Sequence, residues 1–290
     1  MRSSADQAEI RKLERLAAEV RLEIVRAMGR GQFHHFGGSL SAADILVALY
    51  FRHMRYRPEQ PDWPQRDRLV LSKGHSVPAV YVCLAKCGVF PMAELATLKR
   101  LGSRLQGHPD MRKTPGLEAN TGSLGMGLSV ANGMALAARI GGLSYRVYAL
   151  LGDGECQEGQ VWEAAMTAAH YRLGKLTAIV DRNELQAMGR TEERMSVEPL
   201  VEKWRSFGWR ACEVDGHDLR AICEALQAAS EDEGRPAAII ARTVKGKGVS
   251  FMEGQPAFHN AMITEDQLRA AEGELEAAAA ALRHVEGGSE

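Results

Sequence analysis

Val147-Tyr148-Ala149-Leu150-Leu151-Gly152-Asp153-Gly154-Glu155 passes from an unbroken apolar run directly into an acid flanked by glycines. The run Val147–Leu151 predicts a strand buried on both faces, as in a parallel sheet. A helix is predicted from about Gln160 to Tyr171, and a second apolar run, Leu176–Val180, ends close to Arg182-Asn183. In a right-handed strand–helix–strand crossover the carboxyl ends of the two strands lie side by side. Asp153 and Asn183 are therefore expected to meet at one edge of the sheet, where open α/β folds bind ligands. An Asp carboxylate, an Asn amide oxygen and a backbone carbonyl form a hard oxygen set suited to magnesium or calcium, with positions left for two diphosphate oxygens. Gly152 and Gly154 let the backbone approach phosphate, and the helix starting near Glu158 directs its N-terminal dipole there. Asp153 is read as lying at an exposed strand end. Gly-Asp-Gly alone reads better as a tight turn after a strand; the pairing with Asn183, one crossover away, shifts the balance to the metal reading.

The same alternation extends in both directions. Leu69–Leu71, Trp209–Val214 and Ala237–Ala241 read as strands. Helices are expected over about Asp6–Met28, Ser41–Arg52, Val80–Lys86, Leu219–Ala229 and Glu265–Leu282, the last followed by a frayed Gly287-Gly288-Ser289-Glu290 tail. This predicts an α/β fold, a parallel sheet flanked by helices, in one domain over 1–290. Two long irregular segments, Lys99–Asn120 and Lys245–Ala261, interrupt the alternation, and such loops are more often functional than idle. His34, His35, His75, His108 and His259 lie in or beside irregular segments.

Composition excludes several classes. A formal net charge of -1 over 290 residues argues against nucleic acid as the main partner. No apolar stretch is long enough to span a bilayer, and the charged opening from Met1 to Val25 is not expected to be a secretory leader. The five cysteines, Cys83, Cys87, Cys156, Cys212 and Cys223, include no CxxC pair, which suggests reduced thiols in a cytoplasm.

Gly152-Asp153-Gly154 followed at the appropriate distance by Arg182-Asn183 resembles the thiamine diphosphate motif of transketolases and related enzymes. Arg182 stands where an Asn is common, while the ligand Asn183 is kept. Further blocks resemble transketolase specifically: Gly37-Gly38-Ser39-Leu40-Ser41, Leu71-Ser72-Lys73-Gly74-His75, Gly107-His108-Pro109, Thr121-Gly122-Ser123-Leu124-Gly125, Gln157-Glu158-Gly159 and Lys245-Gly246-Lys247-Gly248. They cover nearly the whole chain in the family's order.

The resemblance implies a thiamine diphosphate-binding fold in which Asp153, Asn183 and the Leu185 carbonyl hold Mg2+ (or Ca2+). It implies that Gly154, Glu155, His75 and His259 lie at the cofactor, and that Gly122, Ser123 and Leu124 line its rings with Lys245 and Gly38 nearby. His35, His108 and His259 would face the substrate channel, where imidazoles suit proton traffic at sugar hydroxyls. Glu158 would lie at a partner interface and couple active sites. Departures are His34-His35-Phe36 in place of Gly-His-Pro, with His34 the alternative register for His35; Asn260 in place of a glycine; and Ala187-Met188 in place of a polar pair. The family's pyrimidine-binding and C-terminal domains have no counterpart here, so the resemblance implies a separate partner chain, an α2β2 assembly, and transfer of a two-carbon ketol unit between sugars or sugar phosphates. Alternatives are the α subunit of a 2-oxo acid dehydrogenase, a deoxyxylulose phosphate synthase-like enzyme, a non-catalytic cofactor-binding subunit, or a nucleotide-binding module built on Gly122–Gly127. His108 argues against the first two, intact ligands against the third, and the lack of the dinucleotide glycine spacing against the fourth.

Overall fold

The computed structural model describes residues 4–287; of the predicted frayed tail, Gly287 ends the last helix and 288–290 lie outside the described residues. Five strands form one all-parallel sheet. These are β1 (Arg68–Leu71), β2 (Val147–Gly152), β3 (Leu176–Arg182), β6 (Arg210–Asp215) and β7 (Ala237–Arg242), in the order β1-β2-β3-β7-β6. Between β3 and β6 a small antiparallel hairpin pairs β4 (Leu185–Gln186) with β5 (Gly189–Arg190).

The helices are α1 (Ser4–Met28), α2 (Phe36–Ser41), α3 (Ala43–Ala48), α4 (Val77–Cys87), α5 (Met126–Ile140), α6 (Gly159–His170), α7 (Thr191–Arg194), α8 (Leu200–Ser206), α9 (Leu219–Glu231) and α10 (Glu265–Gly287). Side chains alternate along each strand, so successive residues feed opposite layers. Leu69, Leu71, Tyr148, Leu150, Ile179 and Ile239 pack with α1, α3, α4, α9 and α10. Val70, Val147, Ala149, Leu151, Val180 and Ile240 pack with α5, α6 and α8. That double covering is why the strands read as continuous apolar runs rather than as alternation. Each fully buried Leu or Ile there contributes about 1.5–3 kcal/mol. Among the described residues no helix is long and apolar enough to cross a membrane.

Three boundaries depart from expectation. The helix expected from Ser41 begins at Phe36 and takes in Gly37-Gly38, continuing through α3 into a π-helical turn at Leu49–His53. Gly-Gly reads as a breaker in sequence, but here it permits close approach: a Cβ at Gly37 would lie 2.7 Å from Lys245 Cγ, and one at Gly38 2.8 Å from Ser76 Oγ. The helix expected from Val80 starts at Val77, after a 3-10 turn at Gly74–Ser76 that carries His75. Helix α10 continues past the expected Leu282 to Gly287.

Candidate functional site

The register places Gly152 opposite Asp181, so Asp153 and Asn183 leave neighbouring strands at the same edge. Asp153 Oδ1 accepts from Gly154 N at 2.7 Å, and Oδ2 accepts from Glu184 N at 2.6 Å across the two strand ends. Asp153 is buried, 3% exposed, which corrects its reading as an exposed strand-end residue. The chain folds over it because Glu184, held at φ 64, turns into the β4–β5 hairpin, and Thr191 Oγ1 reaches the same carboxylate at 3.4 Å. Burial raises its carboxyl to about 6, and the nearby Asp181 charge adds to this against the two backbone donors. Asn183 Oδ1 accepts from Leu185 N at 3.2 Å, and the Leu185 carbonyl accepts from Lys245 Nζ at 2.5 Å.

Around these groups lies a pocket of about 300 Å3. Gly38, His75, Lys245 and His259 form one wall, and Leu124, Gly154, Glu158 and Gln186 another. Lys245 comes from the segment after β7 and is seated by Gly246 N donating to Gly37 O at 3.0 Å. Burial, with the charge of Lys73, lowers the Lys245 ammonium to about 8. Its Nζ also meets His259 Nδ1 at 2.9 Å.

Above the pocket the histidines converge. The His35 ring lies 5.1 Å from His75, 5.5 Å from His259 and 6.1 Å from His108, and His75 lies 5.2 Å from His259. His34 and His35 are placed differently. The His34 ring is buried against Phe36, and its backbone pairs with Ala261, whereas His35 enters the cluster. Burial lowers His35 to about 4, His259 to about 3 and His75 to about 2, reinforced by Lys245 and neighbouring rings. His108 is lowered as well, by burial and by Lys99. All four imidazoles are therefore neutral at pH 7, able to donate from one nitrogen and accept at the other.

The remaining predicted residues divide. Gly122, at φ 140, packs on His108, where a Cβ would come within 2.9 Å of the ring. Ser123 is exposed beside Leu124. Glu158 is exposed at the N-cap of α6, but its side chain makes no capping bond. Glu155 borders the pocket with its carboxylate already engaged: it accepts from Ser72 Oγ, from Gly125 N at 2.9 Å and from Gly152 N at 3.0 Å. It holds three loop segments together and has little acceptor capacity left for a ligand.

Sequence reasoning missed the network beneath the pocket. Asp181, fully buried, accepts from Ser41 Oγ at 2.6 Å, from Lys73 Nζ and from Thr243 Oγ1, and Lys73 also donates to Gly38 O at 2.9 Å. Burial would raise the Asp181 carboxyl, but Lys73 and the hydroxyls outweigh it and hold it below its ordinary value. Ser41 and Lys73 lie in two of the family-like motifs, so the signal was present without its buried acid. Gln186 was also missed. Its Nε2 is buried without a partner, and its side chain lies where a Cβ at Gly154 would fall, 2.8 Å away.

Residues 13–281 match the family described as transketolase, thiamine diphosphate binding domain. The chain belongs to the transketolase family. It is 47% identical over 273 residues to the 6-deoxy-6-sulfo-D-fructose transketolase subunit of a Clostridium species, covering 94% of this chain and 98% of the relative. It is 42% identical over 259 residues to an apulose-4-phosphate transketolase subunit from Phocaeicola vulgatus, covering 89% and 92%. The crystal structure of transketolase from Campylobacter jejuni superposes with a TM-score of 0.83 at 28% identity, covering 94% of this chain but only 45% of that one. This transketolase-family chain thus spans under half of the solved enzyme, while matching separately named transketolase subunits along nearly their full length.

The residues fit the family's cofactor. Among the described residues no group of three or more His, Cys, Asp or Glu side chains is set to hold a metal. The available donors are instead mixed oxygens, Asp153, Asn183 and the Leu185 carbonyl, which suit a hard cation shared with a diphosphate. The unpartnered Gln186 amide and the cradle at Gly154 suit an anion approaching the backbone.

Proposed function

We propose that this chain is the diphosphate- and metal-binding subunit of a two-chain transketolase, which transfers a two-carbon ketol unit from a ketose to an aldose. The observation that carries this reading is the convergence of His35, His75, His108 and His259 above the Asp153–Asn183 strand ends. A metal site alone fits many thiamine enzymes; four neutral imidazoles beside it fit a polyhydroxylated substrate. When bound, thiamine diphosphate supplies the electron sink for breaking and forming a carbon–carbon bond beside a carbonyl. Asp153, Asn183 and the Leu185 carbonyl, which here accepts from Lys245, would hold Mg2+ (or Ca2+). Gly38, Gly154, His75, Lys245 and His259 serve the diphosphate end, while Gly122, Ser123 and Leu124 approach the rings. His35, His108 and His259 orient sugar hydroxyls and move protons at them. Glu158, exposed and uncommitted to its own helix, meets the partner and couples the active sites.

The chain is read as one domain over 1–290. Its partner is a separate pyrimidine-binding subunit, two copies of each chain assemble, and the enzyme works in the cytoplasm. Full-length matches to separately named transketolase subunits support the partner, and five free cysteines support a reducing compartment. The test is to supply the assembled enzyme with a ketose and an aldose, or with a 2-oxo acid. Chain-extended sugar without carbon dioxide release is expected. Decarboxylation of the oxo acid with no sugar product would favour the dehydrogenase-like alternative.

A further inference from the structure

Strand β7 leaves the sheet at Arg242, and the residues that follow decide where Lys245 stands. Thr243 N still donates to Arg182 O on β3, and Gly246 N donates to Gly37 O, each at 3.0 Å. Between them Val244 N has no ladder partner, because β6, the neighbour on the other side, last pairs at Asp215 with Arg242. An imidazole takes the place of that carbonyl: Val244 N donates to His217 Nε2 at 2.8 Å.

The turn Asp215-Gly216-His217-Asp218 aims the ring. Asp215 Oδ1 accepts from His217 N at 2.8 Å, and Asp218 caps α9 by accepting from Arg220 N and Ala221 N. Gly216 lets the turn close on the segment after β7, since a Cβ there would come within 2.5 Å of Thr243 Cγ2. The other ring nitrogen is anchored too. His217 Nδ1 lies 2.7 Å from Asp44 Oδ2 on α3, and Arg21 of α1 grips both oxygens of Asp44. Because Nε2 accepts a backbone proton, the ring proton is on Nδ1 and is donated to Asp44. Arg21 Nη2 stands farther from Nδ1, at 3.5 Å. Burial would raise the Asp44 carboxyl, but Arg21 and His217 outweigh it and hold it below its ordinary value.

This anchorage ends at the pocket. Lys245 Nζ donates to Leu185 O and meets His259 Nδ1. Neither acceptor is a carboxylate, so the aim of the ammonium depends on the course of its backbone. We propose that His217 is a positioning residue for Lys245. It carries the fixed Arg21–Asp44 pair to the Val244 amide and thereby sets the lysine ammonium at the diphosphate end of the pocket. The consequence for the cofactor rests on the transketolase reading above; the anchorage of Val244 does not.

The test separates the two ring nitrogens in the assembled two-chain enzyme. In His217→Gln the amide oxygen reaches about as far as Nε2 and still accepts from Val244 N, while the bond to Asp44 is lost. In His217→Asn the amide reaches only as far as Nδ1, still donates to Asp44 and leaves Val244 N without its acceptor. Calorimetry of thiamine diphosphate with Mg2+ should show about tenfold weaker affinity for His217→Asn, the scale of one lost hydrogen bond, and a change below about threefold for His217→Gln. Lys245→Met completes a double-mutant cycle: beside it His217→Asn should add nothing, because its effect passes through Lys245. Equal losses in the two His217 variants, or the full His217→Asn loss persisting beside Lys245→Met, would overturn the proposal. If His217→Asn does not assemble, His217→Gln alone decides: affinity near wild type supports the role, and a tenfold loss rejects it. Hydrogen exchange without cofactor keeps the two readings apart. Failure of the wild type to bind thiamine diphosphate would count against the transketolase reading. Faster exchange at Val244 in His217→Asn than in His217→Gln would still support the anchorage, and equal exchange would reject it.

Discussion

Asp153 is a buried carboxylate with two backbone donors and a charge that burial disfavours, an arrangement that a divalent cation would stabilise. Asp153→Ala in the assembled enzyme is expected to weaken Mg2+-dependent thiamine diphosphate binding by at least about a hundredfold, beyond what even outer-shell changes cost at metal sites. Calorimetry reads this directly, and unchanged affinity would remove Asp153 from the metal site. Because the residue also ties Glu184 and Gly154 into place, the variant's melting curve must be recorded beside it. His108 gives a contrasting outcome. Its ring rests on Gly122 at the outer edge of the cluster, so His108→Ala should cost about 1–3 kcal/mol in donor kcat/KM, the loss of one hydrogen bond in a shielded site. Cofactor affinity should hold. Lost cofactor binding with normal donor kinetics would instead give His108 the part assigned to His75.

At the scale of elements, the motif after each strand is bound to the motif after its neighbour. The segment after β1 supplies Lys73 and His75, β3 supplies Asp181, the segment after β7 supplies Thr243 and Lys245, and α2 supplies Ser41 and Gly38. Lys73 and Asp181 are both buried, at 2% and 0% side-chain exposure, so removing one partner strands the other charge. Lys73→Met should destabilise the fold by about 3–5 kcal/mol, read by chemical denaturation, and a loss below about 1 kcal/mol would show that the pair does not organise the edge. The histidines set a pH dependence. Their folded values of about 4, 3 and 2 for His35, His259 and His75 lie below the ordinary 6.5, so the unfolded chain binds more protons in that interval. Stability is fully present above pH 6.5 and is lost as pH falls from there toward about 4 and below. His75→Gln should flatten that slope in a series of melting curves, and an unchanged slope would count against a buried neutral His75. The strands were legible because burial on both faces leaves continuous apolar runs. The meeting of Asp153 and Asn183 was legible because a crossover fixes which strand ends lie side by side. What escaped were contacts made by groups distant in sequence: Asp181 looks like the end of an apolar strand, Gly37-Gly38 looks like a helix breaker, and Gln186 follows a motif without belonging to it.

On the scale of the whole molecule, every candidate group lies on the carboxyl edge of one sheet or on the loops bordering it, and that edge is open. Leu124 and Met188 line the pocket while 37% and 72% exposed, and Glu158 stands beside them. The pocket gathers Asp153, Asn183, Leu185, Gly154, Lys245, His75 and His259, yet the chain spans under half of the solved transketolase it superposes on. The central claim is that this half requires another. The most direct test is ketol transfer between a ketose and an aldose by the purified chain with thiamine diphosphate and Mg2+, measured with and without the pyrimidine-binding partner. An Asp153→Ala preparation controls for contaminating enzyme. The expected result is no turnover by the lone chain and robust turnover on adding the partner. Sustained transfer by the lone chain, absent from the Asp153→Ala control, would contradict the two-chain account.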